Sequence, residues 1–234
     1  MDPLTDPSAG DLWVFGYGSL MWRPGFDYVE RLDARLIGAH RALCVYSFVH
    51  RGTPERPGLV LGLDRGGASH GMAYRIAAEH SRATLSYLRD REQVTGVYRE
   101  VICNVLLLDG SHRRVDAVCY VAERAHPQYA GGLDLGTQAA IIRGAYGVAG
   151  PNTEYVVNTV GRLRRLGVRD GNLERLSVLL GASARRSFAS DAVINGTAAA
   201  ARRPAIASAR NVLLPRPLPR ALHHRFGYRR KLSQ

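Results

Sequence analysis

The sequence lacks an apolar run of about eighteen residues, the minimum for a membrane-spanning helix, so no span is expected. Its first ten residues hold two Asp and two Pro without an apolar core, which argues against a secretory signal. Cysteine is scarce, and the three present, Cys44, Cys103 and Cys119, lie in apolar runs. Their odd number argues against a disulfide framework. No Cys-x-x-Cys or paired-histidine spacing indicates a metal site. We therefore expect a cytoplasmic protein with buried, reduced thiols and no metal.

Acidic residues are scarce toward the C-terminus. The chain carries 32 Lys or Arg against 20 Asp or Glu, a formal net charge of +12. Residues 182–234 hold eleven of the basic residues and one acidic residue, so the rest of the chain is nearly neutral. This segment has few bulky apolar residues to offset its ordering entropy, which predicts a mostly disordered basic tail.

The basic tail suggests one non-enzymatic function, the binding of a polyanion. An arginine-rich segment binds phosphates through counterion release. The tail has only three aromatic residues, Phe188, Phe226 and Tyr228, so base stacking is not suggested. A nucleic acid is therefore not the favoured partner, and any polyanion binding would belong to the tail alone.

What is present between the two ends has the pattern of one α+β domain. We expect a flexible N-terminus over residues 1–10, a folded domain over 11–181 and the basic tail over 182–234. Residues 65–67 (Arg-Gly-Gly) predict a hairpin turn, and Asn152 is a plausible helix cap. Strands are predicted at residues 12–15, 34–48, 58–63, 71–76, 98–108 and 115–122, and helices at 77–93, 137–148, 153–166 and 172–180.

The stretch around the first strand is the strongest candidate for a binding loop. Val14 and Phe15 belong to an apolar run, which Gly16, Tyr17, Gly18 and Ser19 end. Two glycines allow a turn in which successive N–H groups converge on an anion. A loop that holds a carboxylate or an oxyanion is one interpretation, and an ordinary strand-to-loop turn is the other.

This stretch resembles the binding loop of the ChaC family of gamma-glutamylcyclotransferases, which act on glutathione. Five further segments match the family pattern in the same order, so that the likeness covers about residues 11–181. They are residues 50–52 (His-Arg-Gly), 71–75 (Gly-Met-Ala-Tyr-Arg), 91–98 (Arg-Glu followed by Gly-x-Tyr), 127–129 (Pro-Gln-Tyr) and 152–155 (Asn-Thr-Glu-Tyr).

The resemblance implies a fold and a reaction. The fold would be a mixed β-barrel or sheet with flanking helices. The reaction would convert glutathione to 5-oxoproline and Cys-Gly, by attack of the glutamyl α-amine on its own γ-carbonyl, without a metal or organic cofactor. Because the nucleophile is tethered, the protein has to fold the substrate, carry a proton and stabilise the oxyanion.

Glu92 is the predicted proton carrier, because it occupies the position of the family's catalytic Glu. It falls in the last turn of a helix, at the negative end of the macrodipole, and partial burial there would raise its pKa toward neutrality. The alternative is a surface ion pair with Arg89 or Arg91. Glu100 is the nearest rival carboxylate, but it lacks the motif context.

The remaining site residues are predicted from the resemblance. Main-chain N–H groups of the loop from Val14, Phe15 and Gly16 to Tyr17, Gly18 and Ser19 would bind the glutamyl carboxylate and the oxyanion. Tyr17 could equally be a core aromatic. Arg51 could bind the glycine carboxylate, although a loop arginine is usually solvated, and Tyr129 could contact substrate or merely pack.

Two questions stay open at the level of sequence. The chain has Gln-Val-Thr between Glu92 and Gly96, where short animal members look more glycine-rich, which leaves the shape of this loop in doubt. The same machinery could also process other gamma-glutamyl amino acids or amines. A monomer and a dimer are equally compatible with the sequence.

Overall fold

The computed structural model describes residues 10–181. The predicted disordered tail lies outside the described residues, and so does almost all of the predicted flexible N-terminus. Within residues 10–181 no helix is both long and apolar enough to cross a membrane. The expected cytoplasmic location stays a prediction.

Five strands form a closed barrel, which confirms the predicted mixed β-barrel with flanking helices. In the order β1-β3-β2-β4-β5, every neighbouring pair is antiparallel except β1 and β5, whose parallel pairing closes the barrel. The strands are β1 (Leu12–Gly16), β2 (Glu30–Ser47), β3 (Gly58–Ile76), β4 (Tyr98–Leu107) and β5 (Arg114–Ala122).

The hairpin predicted at residues 65–67 is wrong, because β3 runs through this segment as a single strand. Gly66 and Gly67 have φ values of +92° and +67°, and Gly38 on β2 has a φ of +93°. The pairing of β2 with β3 shifts register between these glycines and continues on both sides. The glycines therefore form a bulge that bends the two strands without reversing the chain.

Four helices pack around the barrel. Helix α1 packs Leu85 and Leu88, both buried, against the barrel. Helix α2 ends at Gly144 and not at residue 148, because residues 146–147 pair with residues 150–151. The helices are α1 (Ser81–Glu92), α2 (Leu135–Gly144), α3 (Asn152–Arg165) and α4, residues 171–181.

The prediction that Asn152 caps helix α3 is wrong. Its side chain is fully buried and bonds both main-chain groups of Leu59 on β3. Asn152 Oδ1 accepts from Leu59 N–H at 2.7 Å, and Asn152 Nδ2 donates to Leu59 O at 2.8 Å. A buried amide with both groups bonded fixes the start of α3 on the barrel, which holds α3 over the end of β3.

The cysteines agree only in part with the expectation of buried, reduced thiols. All three are free, Cys44 and Cys119 are buried, and Cys103 is half-buried. Burial raises the pKa of the Cys44 thiol to about 12, so this side chain is an inert part of the core.

Candidate active site

A cavity of about 110 Å³ opens where the end of β1, the beginning of β3 and the C-terminus of α1 meet. It brings Glu92 together with Tyr17, Gly18 and Ser19, which lie more than seventy residues away in the sequence. The lining residues are Tyr17, Gly18, Ser19, Leu20, Val60, Leu61, Glu92, Tyr98, Tyr120 and Tyr155.

The loop after β1 turns at once into a short 3₁₀ helix, Ser19–Met21. Met21 N–H donates to Gly18 O at 3.0 Å and closes this turn. A Cβ on Gly16 would lie 2.9 Å from Leu20 Cβ, so the tight turn requires glycine there. The leading N–H groups of such a turn have no intrahelical acceptor and can bind an anion.

Glu92 ends helix α1 and turns its carboxyl group toward this loop rather than toward solvent. Its side chain is only 18% exposed. Burial raises the pKa of the Glu92 carboxyl above its usual value, and the Arg91 guanidinium opposes the shift. The Nε atom of Arg91 lies 3.2 Å from Glu92 Oε1. Glu92 is thus both paired with a neighbouring arginine and exposed to the cavity, which combines the two interpretations of the sequence.

Two tyrosines hold the main chain of Leu61 at the floor of the cavity. Tyr98 Oη donates to Leu61 O at 2.6 Å, and Tyr155 Oη accepts from Leu61 N–H at 3.1 Å. Burial raises the pKa of Tyr155 to about 12 and that of Tyr98 well above its usual value. Both hydroxyls therefore stay protonated at neutral pH.

Tyr17 belongs to the core and to the cavity wall at the same time. Its side chain is 7% exposed and packs in the main hydrophobic cluster. Burial raises the pKa of its hydroxyl well above the usual value, and the Glu92 carboxylate adds to the shift. The hydroxyl has no hydrogen-bond partner among residues 10–181. Tyr17 thus supplies a protonated hydroxyl without a protein acceptor in the wall of the cavity that Glu92 also lines.

The buried side chain of Arg41 fixes the main chain of this loop by hydrogen bonds. Arg41 Nε donates to Tyr17 O at 2.6 Å, and Arg41 Nη2 donates to His70 O at 2.7 Å. Arg41 Nη1 also pairs with Asp170 at 3.3 Å. Burial lowers the pKa of the guanidinium and the Asp170 carboxylate opposes this shift, so the buried cation keeps its charge through this partner.

Three of the predicted loop residues do not reach the cavity with their side chains. Val14 and Phe15 are fully buried in the core, and Gly16 lies beneath the turn. They position the loop, and a direct role in substrate binding stays a prediction.

Arg51 and Tyr129 lie outside the cavity walls. Arg51 Nη1 donates to Pro151 O at 3.1 Å, and its guanidinium lies 5.5 Å from the ring centroid of Tyr155. Tyr129 Oη donates to Asp64 Oδ2 at 2.8 Å. Arg51 therefore contacts Tyr155, which lines the cavity, and Tyr129 bonds Asp64. The substrate contacts of Arg51 and Tyr129 stay a prediction.

The rival carboxylate, Glu100, is occupied by a structural contact. Arg89 Nη2 lies 2.6 Å from Glu100 Oε1, and Tyr120 Oη donates to Glu100 Oε2 at 2.8 Å.

The sequence missed three tyrosines of the cavity wall. Tyr98 and Tyr155 stand within the motifs that carry the resemblance, so their positions could have been found there. Tyr120 lies in the apolar strand β5, and its neighbours in the sequence give no such signal. Among residues 10–181 no group of three metal-ligating side chains occurs.

Comparisons with known proteins agree on one family. The sequence model of the ChaC-like protein family matches residues 12–183. The chain is similar to the glutathione-specific gamma-glutamylcyclotransferase of Escherichia coli, with 37% identity over 172 residues that cover 74% of each chain. It is 33% identical over 181 residues to the mouse glutathione-specific gamma-glutamylcyclotransferase 1, which covers 74% of this chain and 81% of the mouse protein.

A solved structure has the same fold. The yeast gamma-glutamyl cyclotransferase specific to glutathione superimposes with a TM-score of 0.66 at 22% identity, covering 74% of this chain and 96% of the yeast chain. At this identity the likeness shows the barrel and its flanking helices.

Proposed function

The chain belongs to the ChaC-like protein family, and from this premise we propose that it is a glutathione-specific gamma-glutamylcyclotransferase. The observation that carries the proposal is the cavity in which the partly buried carboxyl group of Glu92 meets the turn formed by Tyr17, Gly18 and Ser19. The products would be 5-oxoproline and Cys-Gly.

The first step is a proton transfer followed by ring closure. The Glu92 carboxylate takes a proton from the glutamyl ammonium group, and the free α-amine then attacks the γ-carbonyl carbon. A pKa raised by burial makes this carboxylate a stronger base than an exposed one. Because amine and carbonyl belong to one molecule, holding the glutamyl chain folded supplies the effective concentration.

The second step needs a donor for the oxyanion and a proton for the leaving group. The leading N–H groups of the 3₁₀ turn and the Tyr17 hydroxyl lie at the same wall of the cavity and would stabilise the tetrahedral oxyanion. Glu92 returns its proton to the nitrogen of the departing Cys-Gly as the C–N bond breaks. The second proton of the attacking nitrogen then passes through the freed carboxylate to that amine, which leaves as an ammonium group. No water enters the reaction.

The size of the cavity limits which part of the substrate it encloses. Sites that enclose a whole drug-sized ligand measure about 300–1,000 Å³, whereas this cavity measures about 110 Å³. It would therefore enclose the reacting glutamyl end and leave Cys-Gly at its mouth. We assign Arg51 to the support of Tyr155, since its guanidinium is already engaged there.

The test is to incubate the purified full chain with glutathione and to detect 5-oxoproline and Cys-Gly by mass spectrometry. We expect both products in equal amounts, and none from the Glu92→Gln variant on the same time scale. A parallel incubation with gamma-glutamyl-alanine separates the alternative substrate class. Faster turnover of that dipeptide would overturn the specificity for glutathione, and no turnover of either compound would overturn the function itself.

A further inference from the structure

A second, larger cleft lies on another part of the barrel and shares no residue with the Glu92 cavity. It measures about 410 Å³, which is within the range of about 300–1,000 Å³ for small-ligand sites. It exists because β2 and β4 pair over only three residues, 34–36 on β2. Beyond them β2 bends at the bulge around Gly38, and the two strands diverge.

The lining of this cleft, which we call the cationic cleft, has an excess of positive charge. The charged lining residues are Arg65, Arg99, Arg114, Arg124, Asp64 and Glu123. Arg124 Nε pairs closely with Asp64 at 2.7 Å, and Arg99 Nε lies 3.6 Å from Glu123. Four arginines against two acids leave two positive charges, which suits a ligand with carboxylates.

One thiol opens into the cationic cleft. Cys103 on β4 lines it and is half-buried, whereas Cys44 and Cys119 are buried and do not line it. The register pairs Val101 with Cys119 and Cys103 with Ala117, so that both thiols stand on the same face of the sheet as diagonal neighbours. Cys119 Sγ donates to Ala117 O at 3.6 Å, and its thiol lies close enough to lower the pKa of the Cys103 thiol, against the effect of burial, which favours the reactive thiolate.

We propose that the cationic cleft binds the disulfide form of an acidic peptide and that Cys103 exchanges with it to form a mixed disulfide. The choice of glutathione disulfide as this peptide rests on the proposed function, which places the protein in contact with glutathione. The Cys103 thiolate attacks one sulfur of the disulfide, a new S–S bond forms to that glutathionyl group, and the old S–S bond breaks. The other half leaves as glutathione thiolate and takes up the proton that Cys103 released.

The consequence is a thiol whose state follows the ratio of oxidised to reduced glutathione. Exchange is reversible, because excess glutathione attacks the mixed disulfide in the same way. The arginines attract the carboxylates of the incoming disulfide, so they raise its local concentration over that of an uncharged disulfide. A glutathionyl group on Cys103 would leave the lining of the Glu92 cavity unchanged, because the two sites share no residue.

The test treats the full folded chain with excess glutathione disulfide, followed by intact-mass measurement and peptide mapping. We expect one glutathionyl adduct, located on Cys103 and removed by excess glutathione. Cys44 and Cys119 serve as internal controls and stay unmodified while the chain is folded. The neutral probe is hydroxyethyl disulfide, with an unstructured cysteine peptide as the reference thiol. The ratio of the reaction rate with glutathione disulfide to the rate with hydroxyethyl disulfide should be about tenfold higher for Cys103 than for that peptide.

Two variants separate the effect of the cleft's positive charge from the intrinsic reactivity of the Cys103 thiol. Arg99→Gln combined with Arg114→Gln should abolish the tenfold preference while leaving the reaction with the neutral probe unchanged. Arg75→Gln, which removes an arginine outside the cleft, should keep the tenfold preference for glutathione disulfide. An adduct first found on Cys44 or Cys119, no adduct on Cys103, or an equal preference in both arginine variants would each overturn the proposal.

Glutathione turnover is measured on the same samples and tests the proposed function independently. Cys103→Ala should lose the adduct and keep the release of 5-oxoproline. A chain that forms the adduct without releasing 5-oxoproline contradicts the catalytic function and supports the cleft. A chain that releases 5-oxoproline but never forms the adduct contradicts only the cleft.

Discussion

Arg91 on helix α1 donates from Nη2 to the hydroxyl of Ser19 at 2.7 Å, and this contact ties the helix end to the loop after β1. Its Nη1 atom donates to the main-chain oxygens of Arg23 and Pro24, which extend the same loop. The Nε atom of the same guanidinium lies beside Glu92. One side chain therefore sets the distance between the proposed proton carrier and the proposed oxyanion loop.

Replacing Arg91 should shift the pH dependence of turnover. The Arg91 guanidinium holds down a pKa that burial raises, so Arg91→Gln should raise the pKa of Glu92 further and move the acid limb of kcat/KM to higher pH. Ser19→Ala is the matched control, because it removes the contact with the loop and leaves the cation in place. An equal displacement of the acid limb in both variants would contradict the assigned electrostatic role.

Replacing Glu92 should reduce activity and increase stability at neutral pH. Glu92→Gln should lower kcat by about 10²–10⁴, the range for a general acid–base group. A carboxyl whose pKa is raised on folding contributes stability below its usual pKa of 4.5, and loses it as the pH rises through the higher folded value. At pH 8 the Gln variant should therefore be more stable than the parent.

Urea denaturation of both proteins at pH 4 and pH 8 measures this difference. The higher free energy of unfolding of the Glu92→Gln variant should be present at pH 8 and should decrease toward pH 4. Activity within about threefold of the parent would exclude Glu92 as the proton carrier, and a less stable variant at pH 8 would contradict the direction of its pKa.

Removing the Tyr17 hydroxyl should slow the reaction without loosening the fold. Tyr17→Phe loses no hydrogen bond within residues 10–181, so its free energy of unfolding should stay within about 0.5 kcal/mol of the parent. Turnover should fall by about 10², the effect of losing one oxyanion donor. Tyr98→Phe is the contrast, since it leaves Leu61 O without its donor and should cost about 1–3 kcal/mol. Equal stability losses in the two variants would refute this assignment.

Removing the buried guanidinium of Arg41 should lower the free energy of unfolding more than removing a charge at the surface. Arg41→Met leaves Asp170 without its partner and Tyr17 O without its donor, so the free energy of unfolding should fall by about 3–5 kcal/mol. Arg75→Gln is the control, because Arg75 pairs with Asp11 and Glu30 at the surface and its removal should lower the stability much less. Chemical denaturation measures both, and similar losses would show that Arg41 is not a buried anchor.

Gly71 should tolerate no side chain, because the end of β1 lies directly against it. A Cβ at Gly71 would lie 2.3 Å from Gly16 O and 2.6 Å from Phe15 Cζ. Gly71→Ala should therefore displace the binding loop, lowering both the unfolding midpoint and turnover. Gly161→Ala is the control: this helical position has open space, and the change should stabilise the protein by about 0.5–1 kcal/mol. Thermal melts distinguish the two, and a neutral Gly71→Ala would contradict the close approach.

The errors of the sequence analysis have a common origin in distant partners. Gly66 and Gly67 allow a turn and a bulge equally well, and the pairing of β2 with the residues on both sides of them decides for the bulge. Asn152 has the usual character of a helix cap, but its amide bonds Leu59, 93 residues away.

The sequence by itself determined the local elements and the chemistry available to them. The apolar run ended by glycines predicted β1 and its loop, and a helix ending in Arg-Glu predicted the position of the Glu92 carboxyl group. Six motifs in a fixed order indicated the family. Only the tertiary structure decided which groups share the cavity and which thiol opens into the cationic cleft. The physical reason is that burial, and with it the pKa of Glu92 and of the tyrosines, is a sum over segments that approach one another only when the barrel closes.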